Sequence, residues 1–566
     1  MFSPFDNFFN AYDSDEDERY DIPKALLSQA LQRNPNYLKL FSAIKSNSKR
    51  VDFVYGDLKK YNLLKFVRDD KDHYVSIKCK EFGDNFSQNG FYSEASVQYT
   101  ITITTAKTPQ VLASAYAKRA NSLFICHKYD ECLADIERAL ALNCPQSVKK
   151  QLATLRTRVE RIFKRPKQPY HEPLPTIRKS RKNPQIQCAK NCVEIKHNET
   201  FGRHVVATRD INIGEVICIE KPYASILCDF APSYQHCHHC LELCYNPIPC
   251  EKCSQAWYCT DDCREEARNM YHSYECLILK DVFAITKPRE LLALRVAILA
   301  KNDYKNLDFS GLDGDVYRSD RYQEIHNLMT GEDGRPVDKL FEMAVMAACM
   351  FHLLQKTDFF NEPQSDILEN NFKEVLLHQM QIIDLNKLVI YEDLYSQRNE
   401  SRLKICGDGL YSFCSLFNHS CFFNVDYVHY GATIVLRAIH SIKKGEQCFI
   451  SYGAEFGDAT KYERQSFLKK HYFFECKCEA CAKDWQKGYD LLPFKFPLHL
   501  DLKMSEFEVA TLKEGVARHD VDVVKQFLRR VEQQSQRHDV YKPLGNTIEM
   551  KKLIEKCHRV LANGRN

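Results

Sequence analysis

Residues 237–276 read CHHCLELCYNPIPCEKCSQAWYCTDDCREEARNMYHSYEC. Four ligand pairs stand in this stretch: Cys237 with Cys240, Cys250 with Cys253, Cys259 with Cys263, and His272 with Cys276. Intervals of two or three residues between soft or borderline ligands suit tetrahedral Zn2+, and eight ligands suffice for two ions. The pairs are expected to interleave, with Cys237, Cys240, Cys259 and Cys263 on one ion and Cys250, Cys253, His272 and Cys276 on the other. So short a segment buries little core, so metal binding must supply most of its folding energy. Cys228 and Cys244 break the spacing and read as structural or incidental.

The rest of the composition agrees with a metal-rich protein in a reducing compartment. The chain has 25 cysteines among 566 residues, and clustered thiols in such a setting are metal ligands more often than disulfides. A net charge of +4 argues against a nucleic-acid binder driven by bulk electrostatics. No run approaches the roughly eighteen apolar residues of a membrane span. Residues 1–17 turn from aromatic to acidic, unlike a signal or transit peptide, so a cytoplasmic and nuclear protein is expected. The length implies three or four domains.

A second cysteine group, Cys476, Cys478 and Cys481, is one ligand short of a tetrahedral site, and Cys421 can complete it. On spacing alone these cysteines could equally be a buried cluster. Two further stretches parallel each other, ATRDINIGE at 207–215 and AIHSIKKGE at 438–446. In each, a glycine after a short turn precedes an apolar strand, Val216 to Ile219 and Cys448 to Ile450. The pattern predicts a small β domain split by long insertions. Leu291 to Ala300, Leu340 to Leu354 and Phe372 to Tyr391 have helical period, as do Glu506 to Arg518, Val521 to Ser535 and Thr547 to Ala562.

In front of this module, residues 1–75 hold two short amphipathic helices, Ile22 to Leu31 and Tyr37 to Ile44, and show no chemistry. Residues 76–163 read as tetratricopeptide-like helical repeats. Phe82, Gly83, Phe86, Tyr92, Ala95 and Tyr99 make one unit; Ala117, Ala120, Leu123, Tyr129, Ala134, Ala139 and Leu140 make another, closed by Pro145. A plain helical hairpin is the alternative reading. Residues 164–193 form a basic, proline-containing linker. Its Lys164-Arg165 and Arg178 to Lys182 have the spacing of a bipartite nuclear-import signal, although such linkers occur without being read as one.

Asn418 to Asn424, NHSCFFN, is similar to the hallmark NHSC motif of SET-domain methyltransferases. Gly202-Arg203-His204 resembles the GxG element, Gly445-Glu446 with Ile450 to Gly453 the strand of the catalytic tyrosine, and Tyr472 to Cys481 the post-SET closure. The 237–276 segment, with Trp257-Tyr258-Cys259 and Tyr271-His272, resembles the MYND finger. Order and placement identify the chain as a member of the SET and MYND domain-containing lysine methyltransferases, over roughly residues 194–485. Front repeats and a helical tail at 486–566 narrow it to the subgroup of SET and MYND domain-containing protein four.

The resemblance implies an α+β fold: a SET β-core with an inserted MYND zinc finger and a helical insert, flanked by α-helical regions at both ends. It implies S-adenosyl-L-methionine as donor, three Zn2+ per chain, and protein-lysine N-methylation. Asn418 and His419 are then expected to hold the donor through side-chain and backbone contacts, Gly202, Arg203 and His204 to lie at its methionine end, and Asn386 to bind it from a preceding helix. Tyr452 is expected to orient methyl and amine, Tyr472 to line the lysine channel and Phe474 to pack on the adenine. Two departures stand out: His204 replaces a glycine, adding bulk that either turns away from the donor or fills its place, and Phe423 replaces a proline, which could loosen a turn. Implied partners are a protein substrate with an accessible lysine and proteins held by the finger and repeats; a monomer without membrane or DNA contact is expected. The rival reading is a scaffold with a weak or inactive SET core, favoured by His204 and opposed by Tyr452.

Overall fold

The computed structural model describes residues 21–65, 71–142, 144–162, 172–228, 233–304, 316–395, 401–485, 502–538 and 545–565. Thirteen short strands are described: β1 (Val193–Asn198), β2 (Gly202–Ala207), β3 (Val216–Glu220), β4 (Ala224–Leu227), β5 (Ile248–Pro249), β6 (Trp257–Tyr258), β7 (Lys387–Tyr395), β8 (Ser401–Leu410), β9 (Asn418–His419), β10 (Val425–Tyr430), β11 (Thr433–Ala438), β12 (Phe449–Ile450) and β13 (Gly564–Arg565). β1 and β2 form a hairpin, β10-β11-β3 a three-stranded sheet, and β13-β7-β8-β4 a four-stranded one. β9 and β12 run parallel, pairing Asn418 with Phe449 and His419 with Ile450. That short parallel contact brings the NHSC segment beside the strand leading to Tyr452.

The two similar stretches at 207–215 and 438–446 pair with each other. Ile211 and Ile442 exchange backbone hydrogen bonds of 2.8 and 3.0 Å, and Gly445 N–H donates to the Ala207 carbonyl at 2.8 Å. Gly214 and Gly445 have φ of 79° and 86°, left-handed values that a side chain would make costly. The split β domain is thus closed at this seam.

Between β4 and β7 lie the finger and a helical insert, including Pro288–Leu299, Val337–Leu354 and Ser365–Asn386. The last of these was expected to continue to Tyr391; instead it stops at Asn386 and the chain becomes β7. Val389 and Ile390 suit a pleated surface, and cross-strand pairing of β7 with β8 over nine residue pairs outweighs the local helical period. No helix among the described residues is long and apolar enough to cross a membrane.

The first helices are built into this insert. Glu374 accepts from the Ser48 and Asn47 N–H groups at 2.8 and 3.3 Å and from Ser46 Oγ at 3.0 Å, placing a carboxylate at the N-terminus of the Asn47–Lys60 helix. Phe41 and Tyr37 meet Phe341 edge-on at 5.4 and 6.0 Å.

Residues 73–162 make two helical hairpins, His73–Gln88 with Tyr92–Thr105 and Pro109–Ile125 with Tyr129–Ala141, followed by Gln146–Ile162. Gly83 lets the first pair approach: a Cβ there would stand 2.6 Å from the Tyr99 ring. Pro145 opens the last helix, accepting from Lys149 N–H at 3.0 Å.

The expected separation of this region from the catalytic module is corrected. Arg119, fully buried on Asp135 at 2.6 Å, also donates to the Pro247 carbonyl at 3.3 Å, and Arg138 donates to Asn246 O at 2.8 Å. The hairpins therefore rest on the finger. Deleting residues 76–163 is expected to lower the thermal midpoint of the remaining chain and promote aggregation, measured by calorimetry and light scattering. An unchanged midpoint would show that the contact contributes nothing.

The linker is also shorter than expected. Ile186, Ala189 and Cys192 are buried in the core, and Lys190 N–H donates to Ile217 O at 2.8 Å. Arg178 to Lys182 are exposed, whereas Lys164-Arg165 lie outside the described residues. At the other end, helices Glu506–Ala517, Val521–His538 and Gly545–Asn563 share a core with Phe423 and Ile439. Phe423 is buried, with the Lys551 ammonium 3.6 Å above its ring.

Candidate active site and metal centres

Four sulfurs on a tetrahedral zinc with bonds of about 2.3 Å lie about 3.8 Å apart, and an imidazole nitrogen lies about 3.6 Å from each sulfur. In the first finger group, Cys259 Sγ is 3.6 Å from Cys240 Sγ and 3.5 Å from Cys263 Sγ, with Cys237 in the same group. In the second, Cys250 and Cys276 are 3.7 Å apart, and His272 Nε2 is 3.3 Å from Cys250 and 3.6 Å from Cys253. Cys421 Sγ is 3.9 Å from Cys476 and 3.5 Å from Cys481, with Cys478 completing that group. These donor sets fit zinc in both type and spacing. Cys244 stands outside them, its thiol toward Asn246 Oδ1 at 3.6 Å.

The finger is anchored by a residue the sequence reading missed. Arg295, on the Pro288–Leu299 helix, is buried; it donates to Glu275 at 2.9 and 2.7 Å, and its guanidinium lies 3.1 Å from His238 Nε2 and 4.0 Å over the Tyr271 ring. It also donates to the Ser225 carbonyl at 2.5 Å. An arginine in an apolar helical run looks like a surface position until its partners, distant in sequence, are known. Arg464 was likewise missed: it is buried with its guanidinium 3.7 Å from Cys481 Sγ, beside the third sulfur group.

Tyr452 follows β12. Its hydroxyl donates to the Phe417 carbonyl at 2.9 Å, and its ring lies 4.9 Å from Tyr472 and 6.5 Å, edge-on, from Phe474. Burial raises the phenol above its ordinary value, so it stays protonated at neutral pH. Tyr472 and Phe474 flank Phe473, whose φ of 60° ends the Lys461–Tyr472 helix. The left-handed turn sets Phe473 against Gly331 and Gly334, where an added Cβ would stand 3.0 and 2.8 Å from it.

Both ring nitrogens of His419 face groups of the protein itself. Its Nδ1 accepts from Tyr452 N–H at 3.0 Å, and its Nε2 faces Cys421 Sγ at 3.4 Å. Burial pushes the imidazole down to about 4, leaving it neutral; the Tyr452 bond then assigns the proton to Nε2. The ring therefore ties the third sulfur group to the tyrosine and does not reach out to a donor. His204 is also turned inward: it is 5% exposed, with Nδ1 3.0 Å from Gly202 O and its ring 5.7 Å from Phe201.

The other expected donor residues remain partly accessible: Gly202, Arg203, Asn386, Asn418, Tyr452, Tyr472 and Phe474 are all half-buried. Gly202 has φ of 60° and open space where a Cβ would stand, so its backbone can be approached closely. Asn418 Nδ2 donates to Phe201 O at 3.1 Å. Arg203 donates to Asn327 O, and Asn386 to Met329 O at 2.8 Å, so both hold the 327–329 segment of the insert.

Residues 202–453 match the family model described as SET domain. The strands around Asn418 and Tyr452 lie within this match. Protein-lysine N-methyltransferase SMYD4 of Danio rerio is 25% identical over 509 residues, covering 73% of this chain and 66% of that protein. A SET and MYND domain-containing protein of Dictyostelium discoideum is 25% identical over 330 residues, covering 52% and 82%, and N-lysine methyltransferase SMYD2 of Homo sapiens 26% over 341, covering 58% and 67%. The chain spans about two-thirds of the length of the SMYD4 relatives it matches. Over these spans the chain is similar to SET and MYND domain-containing proteins.

Proposed function

We propose that this chain is an S-adenosylmethionine-dependent protein-lysine N-methyltransferase. The observation that carries this reading is the Tyr452 hydroxyl, held by the Phe417 carbonyl between the rings of Tyr472 and Phe474. When bound, S-adenosylmethionine supplies a methyl group on a positively charged sulfur. Gly202, Arg203, Asn386 and Asn418 would hold it, with Phe474 against its adenine. Because Tyr452 donates its own proton to Phe417, its oxygen keeps lone pairs for an incoming amine N–H. A neutral, anchored phenol orients that amine rather than acting as a phenolate base. The flanking aromatic rings disfavour the ammonium form of a lysine, whose free pKa is near 10.4. The rate then comes from alignment and exclusion of water.

Zinc is read as structural here, with three ions on the twelve ligands Cys237, Cys240, Cys259, Cys263, Cys250, Cys253, His272, Cys276, Cys421, Cys476, Cys478 and Cys481. Cys476→Ser is expected to remove one equivalent and weaken donor binding, since Phe474 lies two residues away. Elemental analysis and calorimetry check both, and full metal content in the variant would contradict the assignment.

The activity test is transfer of label from S-adenosylmethionine to protein in a cell extract, by the native chain and by Tyr452→Phe. The buried His204 favours the scaffold alternative, and calorimetry with the donor separates the two: binding by the native chain supports the enzyme. Tighter binding after His204→Gly would show that the imidazole obstructs the pocket. Partner binding through the joined finger and hairpins, with the hairpins acting as tetratricopeptide-like repeats, belongs to the same reading. So does nuclear as well as cytoplasmic residence through the exposed Arg178 to Lys182, which imaging of a version with these basic residues neutralised would test.

A further inference from the structure

We propose a fourth zinc site, formed by His236, Glu392 and Cys406, that clamps the finger to the SET sheet. Nε2 of His236, a carboxylate oxygen of Glu392 and Sγ of Cys406 all lie within 4.8 Å of one another. Their exposures are 2%, 4% and 8%. Leu227, Leu241, Trp257 and Ile390 form an apolar cluster with Cys406, so the group sits in a dry setting. Bringing an imidazole, a carboxylate and a thiol together away from water is costly unless they are paired or share a cation.

Each ligand is delivered by a different part of the fold. His236 immediately precedes the finger and is held by an antiparallel bridge to Leu243. Glu392 is on β7, opposite Lys404 on β8. Cys406 falls at the irregularity in that pair: Ile390 faces Gly407 and Tyr391 faces Ile405, so Cys406 is the extra residue of a β-bulge. Bulges re-aim side chains, and they recur beside functional sites.

His236 Nε2 and Glu392 Oε1 are 2.5 Å apart. On a tetrahedral zinc with bonds of about 2.0–2.1 Å, two such atoms stand about 3.3 Å apart. The pair must therefore open by about 1 Å, within reach of side-chain rotation. Cys228 is the nearest cysteine along the neighbouring strand, and its side chain would have to turn toward the group to act as a fourth ligand. Its N–H donates to the Cys406 carbonyl at 3.0 Å, continuing the ladder that pairs Leu227 with Gly407, so the two cysteines stand directly opposite.

Lys404 also lies near Glu392 and Cys406; burial lowers its pKa, while those two neighbours raise it. A second buried group, Cys218, Glu220 and Cys414, is weaker: both Glu220 oxygens already accept backbone N–H groups, from Phe413 and Cys414 at 2.9 Å.

The test is zinc content per full-length chain for the native protein, Glu392→Gln and Cys406→Ser. One equivalent fewer in each variant, and four in the native chain, is expected. Equal content in native and variant chains overturns the proposal, as does a native total of three. Should the variants fail to fold, timed release of zinc from the native chain to a chelating dye decides. One equivalent leaving ahead of the others fits a site with fewer thiolates, and uniform release overturns it.

Discussion

Tyr452→Phe is expected to reduce methyl transfer by about 100-fold or more while leaving donor affinity nearly unchanged. A small displacement of a reacting group can cost that much. The substitution deletes only the hydroxyl, which makes the bond to Phe417 O and offers the oxygen that orients an amine. The ring contacts to Tyr472 and Phe474 survive, as does the bond from Tyr452 N–H to His419. Turnover and calorimetric titration of the donor, measured on the same preparations, separate the two effects. Near-native turnover would remove Tyr452 from the reaction. Equal loss of binding and turnover would mean that the substitution had damaged the fold.

Arg295→Met is expected to destabilise the chain by about 3–5 kcal/mol, because it strands the buried Glu275 carboxylate. His238 and the Ser225 carbonyl lose a donor as well. The double variant Arg295→Met with Glu275→Met removes both charges and should recover much of the loss, since the unpaired charge is the main cost. Urea unfolding of the three proteins reads this directly. A single variant as stable as the native chain would show that Glu275 takes up a proton or finds water instead. The loss should also loosen the finger, seen as faster amide exchange between residues 250 and 276.

The docking of the hairpins on the finger limits which of its faces a partner could reach. Arg119 and Arg138 hold the backbone of Asn246 and Pro247, and Lys128 lies 4.2 Å over Tyr245. That face of the finger is covered by the chain's own helices. A partner must therefore use another face of the finger, or the hairpins themselves.

How much the sequence alone could settle varies with the distance over which each feature is decided. The finger ligands were legible because each pair spans a single turn, so spacing reports geometry directly. The helices Val337–Leu354 and Val521–His538 were legible from their period for the same local reason. The order of GRH, NHSC, Tyr452 and the Cys476, Cys478 and Cys481 cluster placed the SET core without any contact being known. Tertiary structure decided what depends on the chain's return from far away. Lys387 to Tyr391 reads as helix until β8 supplies a ladder for it. The His419 ring finds its partners, Tyr452 N–H and Cys421, only when the fold brings those segments together. Residues 183–192 read as linker until Ile217 and the core cover them. Arg295 gains its meaning only from Glu275 and His238, which the fold brings to it. Local spacing follows the fixed geometry of the backbone, whereas a buried charge, a strand edge or a turned imidazole is settled by whichever distant partner offsets its desolvation.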